Sequence, residues 1–138
     1  MRPGIRGVGS KGREFRRETV GGFEVVIGKG DAANDRLTFG VAEAHDVWLH
    51  VAGAPGSHVV VRNPDRLPEV PRRVVQRAAE LAAWHSKARH ARGKVEVHVC
   101  RVADVTKPRG FEAGQVLLRR WESMKVYPRA AGGEEGGD

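Results

Sequence analysis

The chain has a single cysteine, Cys100, so neither a disulfide framework nor a cysteine-based zinc centre can be built from it. That thiol sits inside the apolar run Val95 to Val102, where a small buried side chain is the ordinary reading. No apolar run approaches the length needed to span a bilayer, and the Arg-rich N-terminus lacks the apolar stretch of a signal peptide, so the expectation is a cytoplasmic chain without a membrane partner. Acidic residues are outnumbered, 17 Asp and Glu against 24 Lys and Arg; the formal net charge is +7. A pI near 10.3 favours polyanionic partners, nucleic acid first. Charge alone also suits a protein that is merely soluble, so particular residues have to decide.

With 138 residues, 40% of them hydrophobic, the chain can bury one modest core. Residues 1–19 hold Arg2, Arg6, Lys11, Arg13, Arg16 and Arg17 among glycines, too few apolar side chains to offset the entropy of ordering, which predicts a mobile basic arm. Residues 130–138 are Gly-rich and acidic and read as a disordered tail. The folded unit is expected over 20–129, with no internal repeat.

Within it, Phe23 to Ile27 reads as a strand, and Asn34-Asp35 as the cap of a short helix running to Val41 or Ala42. Asp46 to Val51 and Ser57 to Arg62 alternate, punctuated by Gly53-Ala54-Pro55-Gly56, and form a hairpin. Pro71 opens a long helix whose small-residue face, Val74, Val75, Ala78, Ala79, Ala82, Ala83 and Ser86, repeats until Gly93. Val95 to Val105, Gln115 to Leu118 and Met124 to Tyr127 supply further strands, with Lys107-Pro108-Arg109-Gly110 as a basic turn. The pattern predicts an α+β fold: a mostly antiparallel sheet with one long and one short helix packed on it.

The period of two in Asp46-Val47-Trp48-Leu49-His50-Val51 puts Val47, Leu49 and Val51 on one face and Asp46, Trp48 and His50 on the other. Keeping Val59 and Val61 on the apolar face requires an even pairing sum. Pairing Val51 with Ser57 then sets Trp48 opposite Val60, His50 opposite His58 and Asp46 opposite Arg62. Trp48 is either a ring that covers the sheet or, with His50 beside it, a platform for an unstacked base. His50, His58 and Asp46 form a candidate metal set, but no H-E-x-x-H or carboxylate-rich spacing supports one, and hydrogen bonding to phosphate or within the protein is the better reading. Asp46 suits a structural pairing with Arg62, because a lone carboxylate would repel RNA. Gly28-Lys29-Gly30 lacks the spacing and ending of a P-loop and is a turn with a cationic tip. On the long helix, Arg73, Arg77, Glu80, Trp84 and Lys87 form a stripe that is usually a wet surface, in which Trp84 is an odd occupant.

These segments, in order, resemble the NFACT-R domain of the NFACT proteins of ribosome-associated quality control. The resemblance is carried by Gly22-Phe23 with Val26-Ile27-Gly28-Lys29, Asn34 to Phe39, the D-x-W-x-H signature Asp46 to His50, and Pro55-Gly56-Ser57-His58-Val59. It continues through Ala78 to Ala83, Ser86-Lys87-Ala88-Arg89, Val105 to Gly110, Gly114-Gln115-Val116 and Val126-Tyr127-Pro128, thus covering about 21–128. It implies an RNA-binding module without catalysis, whose RNA is tRNA or large-subunit rRNA and whose platform is the ribosome. Lys29, Asp46, Trp48, His50, Ser57, His58, Arg62, Lys107 and Arg109 are the expected RNA-binding residues; Lys107 and Arg109 enter through the motif's Lys-Pro step. The large NFACT proteins also carry an N-terminal NFACT domain, a helix-hairpin-helix unit and a coiled coil, for which 138 residues leave no room, so a stand-alone form is expected and tailing activity does not carry over. No cofactor or resident metal is expected. Competing readings are a general binder that accepts DNA, a small metal-dependent hydrolase, and a protein-interaction module.

Overall fold

In the computed structural model, which describes residues 14–130, the β-branched stretches lie side by side in one antiparallel sheet. Its strands are β1 (Phe15–Val20), β2 (Phe23–Gly28), β3 (Val47–Val51), β4 (Val59–Val61), β5 (Val95–Arg101) and β8 (Glu122–Val126), in the spatial order β1-β2-β4-β3-β5-β8. Two further strands, β6 (Val105–Thr106) and β7 (Leu117–Leu118), form a separate short ladder. The helices are α1 (Asp31–Arg36), continued by a π-helical turn over Leu37–Val41, and α2 (Arg72–Trp84), at 13 residues the longer of the two. This is the expected α+β architecture.

The expected hairpin register is observed: Val47 pairs with Val61, Trp48 with Val60 and Leu49 with Val59. Hydrophobic parity could fix it because the apolar face has a demanding partner. Val25, Ile27, Val47, Leu49, Val51, Val59, Val61 and Val97 meet Val74, Ala78, Leu81 and Ala82 of α2 in one cluster. The alanines on α2 carry little volume between helix axis and sheet, so the strands' branched side chains fill the gap.

Four expectations change. Residues 15–19, assigned by composition to a mobile arm, form β1, paired with β2 from Phe15↔Gly28 to Val20↔Phe23. The turn between them is Gly21-Gly22, with φ of 56° and 87°, the double positive φ of a tight hairpin turn that glycine alone adopts without cost. Residues 1–13 of the arm, and 131–138 of the tail, lie outside the described residues. Second, Asn34 is not a helix cap: α1 begins at Asp31, after Gly30 with φ 116°, and Asn34 is a buried residue of that helix. Third, α2 ends at Trp84 rather than near Gly93. Ser86 Oγ donates to Ala83 O (2.7 Å) and accepts from Ala88 N–H (3.0 Å), which turns the chain out of the helix. Likewise β5 stops at Arg101, and a 3₁₀ turn over Val102–Asp104 separates it from β6.

Leu49, fully buried between α2 and the sheet, makes the core testable. Leu49→Ala should lower the unfolding free energy by about 2–5 kcal/mol with an unchanged m-value, as read by urea titration. A loss under about 1 kcal/mol would mean that β3 does not pack as described.

Candidate nucleic-acid interface

Strand β3 delivers Trp48 and His50 to the side of the sheet opposite α2, as alternation requires, but that side is also interior. Trp48 is 2% exposed and packs with Val26, Leu37, Val60, Val102 and Val105. The covering layer is α1 with its π turn on one side and the β6–β7 ladder on the other. Trp48 is therefore not an accessible stacking platform. The period of two assigns faces, not solvent, and only the elements from elsewhere in the chain decide which faces stay wet.

A directed chain of hydrogen bonds runs through this second layer. Trp48 Nε1–H donates to Thr38 Oγ1 (3.2 Å), and Thr38 Oγ1 lies 2.8 Å from His58 Nδ1. His58 Nε2 is 3.2 Å from the carbonyl of Gly114, which can only accept. With Nε2 protonated, Nδ1 must accept from the Thr38 hydroxyl, whose oxygen is then available to the indole. A neutral imidazole closes the chain in this direction; a protonated ring would turn the Thr38 link around, with the hydroxyl oxygen accepting from both rings. Burial, with a smaller push from His50, lowers His58 to about 4, in agreement with that geometry. His50 is half-buried, stacked on Trp48 with 5.9 Å between ring centroids and edge-on to His58 at 5.6 Å; burial lowers its pKa too. The two imidazoles do meet across the hairpin, as expected, as members of a ring cluster. Among the described residues no group of three or more His, Cys, Asp or Glu is arranged to hold a metal ion.

Asp46 and Arg62 pair as expected, Nε to Oδ2 at 2.7 Å, with Asp46 buried. Asp46 also accepts from the backbone N–H of Glu43 (2.9 Å) and Asn63 (2.7 Å), so it organises the segments that enter and leave the hairpin at its open end. Lys107 lies 3.1 Å from Asp35, whose same oxygen accepts from Gly114 N–H at 3.0 Å. Asp46, Arg62 and Lys107 are thus matched internally, and the 107–114 loop is held down by Lys107 and His58 together. Cys100 is half-buried, and burial, aided by Asp104, pushes its thiol up to about 12. Lys29 and Arg109 are exposed and Ser57 is half-buried; Lys29 and Ser57 line one cavity, away from the Trp48 layer.

Two residues missed from the sequence carry much of this site. Thr38 sits in the π turn, where its hydroxyl joins Trp48 to His58. Asn34 Oδ1 accepts from His58 N–H (3.0 Å) and its Nδ2 donates to Gly56 O (3.3 Å), tying α1 to the hairpin. A Cβ on Gly28 would stand 2.2 Å from Asn34 Oδ1, so the glycine preceding Lys29 is the signal that the helix approaches closely here.

One six-stranded sheet, roofed by α2 on one face and on the other by α1 and a short β-ladder locked through a buried histidine, defines a small α+β binding module with cations around its rim. The chain belongs to the NFACT protein RNA binding domain family, whose model matches residues 11–120. It is similar to Rqc2 homolog RqcH of Streptococcus suis, 39% identical over 111 residues, which is 80% of this chain and 19% of that protein. It is also similar to Rqc2 homolog RqcH of Bacillus subtilis, 34% identical over 113 residues, 82% of this chain and 19% of the relative. The chain spans about a fifth of the length of these relatives. Among solved structures, the C-terminal part of the fibronectin/fibrinogen-binding protein from Streptococcus suis superposes with a TM-score of 0.75 at 35% identity, covering 82% of this chain and 45% of that one.

Two outcomes follow from the network. His58 titrates near 6.5 when unfolded and about 4 when folded, so its contribution is complete above pH 6.5 and is lost progressively as pH falls from 6.5 to 4. Urea midpoints should fall across that window and fall less steeply in His58→Gln; an equal slope in both would exclude His58. Trp48→Ala should cost about 3–5 kcal/mol of stability, as expected for a buried ring, so its melting temperature must drop. Reduced RNA affinity at unchanged melting temperature would instead return Trp48 to the surface.

Proposed function

We propose that this domain binds structured RNA, tRNA or large-subunit rRNA, in ribosome-associated quality control, and acts by docking rather than by catalysis. The observation that carries the reading is the match of residues 11–120 to an RNA-binding domain family, on a chain of net charge +7. The relatives' name, Rqc2 homolog RqcH, supports the quality-control setting. The docking reading rests on how the polar groups are used. Asp46, His58 and Thr38 each spend their hydrogen-bonding capacity within the protein, which positions loops, and the Thr38–His58 pair, the one hydroxyl–imidazole contact among them, is buried where no substrate reaches it. Exposed Arg16, Lys29 and Arg109 are the groups suited to phosphate.

Crosslinking in cells followed by sequencing of the bound RNA tests the reading: enrichment of tRNA or large-subunit rRNA supports it, and recovery of neither RNA nor DNA redirects it to a protein partner. DNA recovered equally with RNA would make the module a general nucleic-acid binder. In vitro, affinity for tRNA should fall steeply with salt, because each neutralised phosphate releases counterions. Deleting residues 1–13, which removes Arg2, Arg6, Lys11 and Arg13, should weaken all RNAs alike and flatten the salt slope. An unchanged slope places those cations outside the interface. EDTA should leave RNA binding intact and metal analysis should find less than stoichiometric metal; one bound ion per chain would favour the hydrolase reading.

A further inference from the structure

A concavity lined mainly by cations lies outside the D-x-W-x-H strand. It is an open-sided cavity of about 420 Å³ where β1, the β2–α1 turn, the β3–β4 loop and the segment following α2 converge, and its wall includes Arg16, Lys29, Trp84, His85, Lys87 and Arg89. Two backbone hydrogen bonds build it, Ser57 N–H to His85 O (3.0 Å) and Lys87 N–H to Pro55 O (2.9 Å). They hold the post-helix segment so close to the hairpin loop that a Cβ on Gly56 would stand 2.7 Å from Ser86 Cβ. The early end of α2 is what brings Trp84 to Arg89 here. Arg89 donates from Nε to Trp84 O (3.0 Å) and its guanidinium lies 4.4 Å over the Trp84 ring, a fixed planar pair rather than a floating cation. Four cationic side chains face the cavity against one carboxylate, Asp31, which lies against Gly114, 2.9 Å from where a Cβ there would stand.

A planar guanidinium–indole pair beside several cations is the chemistry that takes an unstacked base together with its phosphate. Resting on the RNA-binding reading, we propose that this cavity receives one unpaired nucleotide of a single-stranded RNA segment, its base laid on the Arg89–Trp84 pair and its phosphate among Arg16, Lys29 and Lys87. His85 reports on the site. Burial, then Arg16 and Arg89, lower it to about 4, so a phosphate beside Arg16 offsets part of the positive charge that lowers it. The buried His85 Nε2 has no hydrogen-bond partner among the described residues, so a bound group that supplies an acceptor there would also favour the charged ring.

The test compares three proteins on a single-stranded RNA of about a dozen nucleotides and on its blunt duplex: wild type, R16A/K29A/K87A, and R72A/R73A/R120A. The last removes the same charge from exposed positions outside the cavity. The cavity triple should weaken single-stranded RNA at least tenfold and flatten its salt slope by about 2, roughly 0.7 per phosphate contact, whereas the control should lose less than threefold. Arg89→Lys, which keeps the charge and removes the plane, should weaken the single strand about fivefold and the duplex little. By NMR, the pKa of His85 in the wild type should rise when the single strand binds. Equal losses from both triples, preference for the duplex, or an unmoved His85 overturns the proposal while leaving RNA binding in place. Wild type that binds neither RNA overturns the RNA-binding reading itself.

Discussion

Strand β3 is packed on both faces, and that constraint shapes the rest of the domain. On one side Val47, Leu49 and Val51 face α2; on the other Trp48 is covered by the α1 layer and the β6–β7 ladder. A buried indole N–H, hydroxyl and imidazole each cost free energy unless paired, so the polar atoms of this second layer have to satisfy one another. They do so in one direction only, Trp48 to Thr38 to His58 to Gly114. The chain links β3, the π turn after α1, the residue preceding β4 and the distal loop around Gly114. Protonating His58 would reverse one of its links and place a charge in a buried layer, and burial is what disfavours the charged ring.

That arrangement leaves the solvent-exposed cations at the rim of the sheet rather than on its face. The D-x-W-x-H strand supplies Asp46 as the acceptor for three donors, Trp48 as core volume and His50 as a half-buried ring, all of which hold loops in place. The groups that reach solvent come from loop tips and from the segment after α2, where backbone hydrogen bonds and the close approach at Gly56 fix their positions. A rigid scaffold carrying exposed cations on loops is the usual division between packing and recognition. In this domain the signature motif belongs to the scaffold.

Local pattern was sufficient for the hairpin. Parity of the apolar residues, together with a glycine-bearing turn, fixed the pairing of Val47 with Val61, and with it the Asp46–Arg62 ion pair. It was insufficient at the N-terminus, where composition suggested disorder and the Gly21-Gly22 turn folded residues 15–19 onto β2. Composition weighs side chains, whereas an edge strand is held largely by backbone hydrogen bonds. The end of α2 was likewise hidden, because the alanine repeat continues in spirit through Ser86 and Ala88 while the Ser86 hydroxyl caps the chain away.

The sequence by itself determined the α+β class, the hairpin register, the apolar face that α2 covers and the basic charge, since each of these follows from periodicity or composition within a short window. Only the tertiary structure decided that the opposite face is also interior, that Thr38 and Asn34 hold His58, and that Arg16, Lys29, Trp84 and Arg89 share one cavity. Those facts depend on contacts between segments twenty to seventy residues apart, and no local period encodes which distant element will cover a given face.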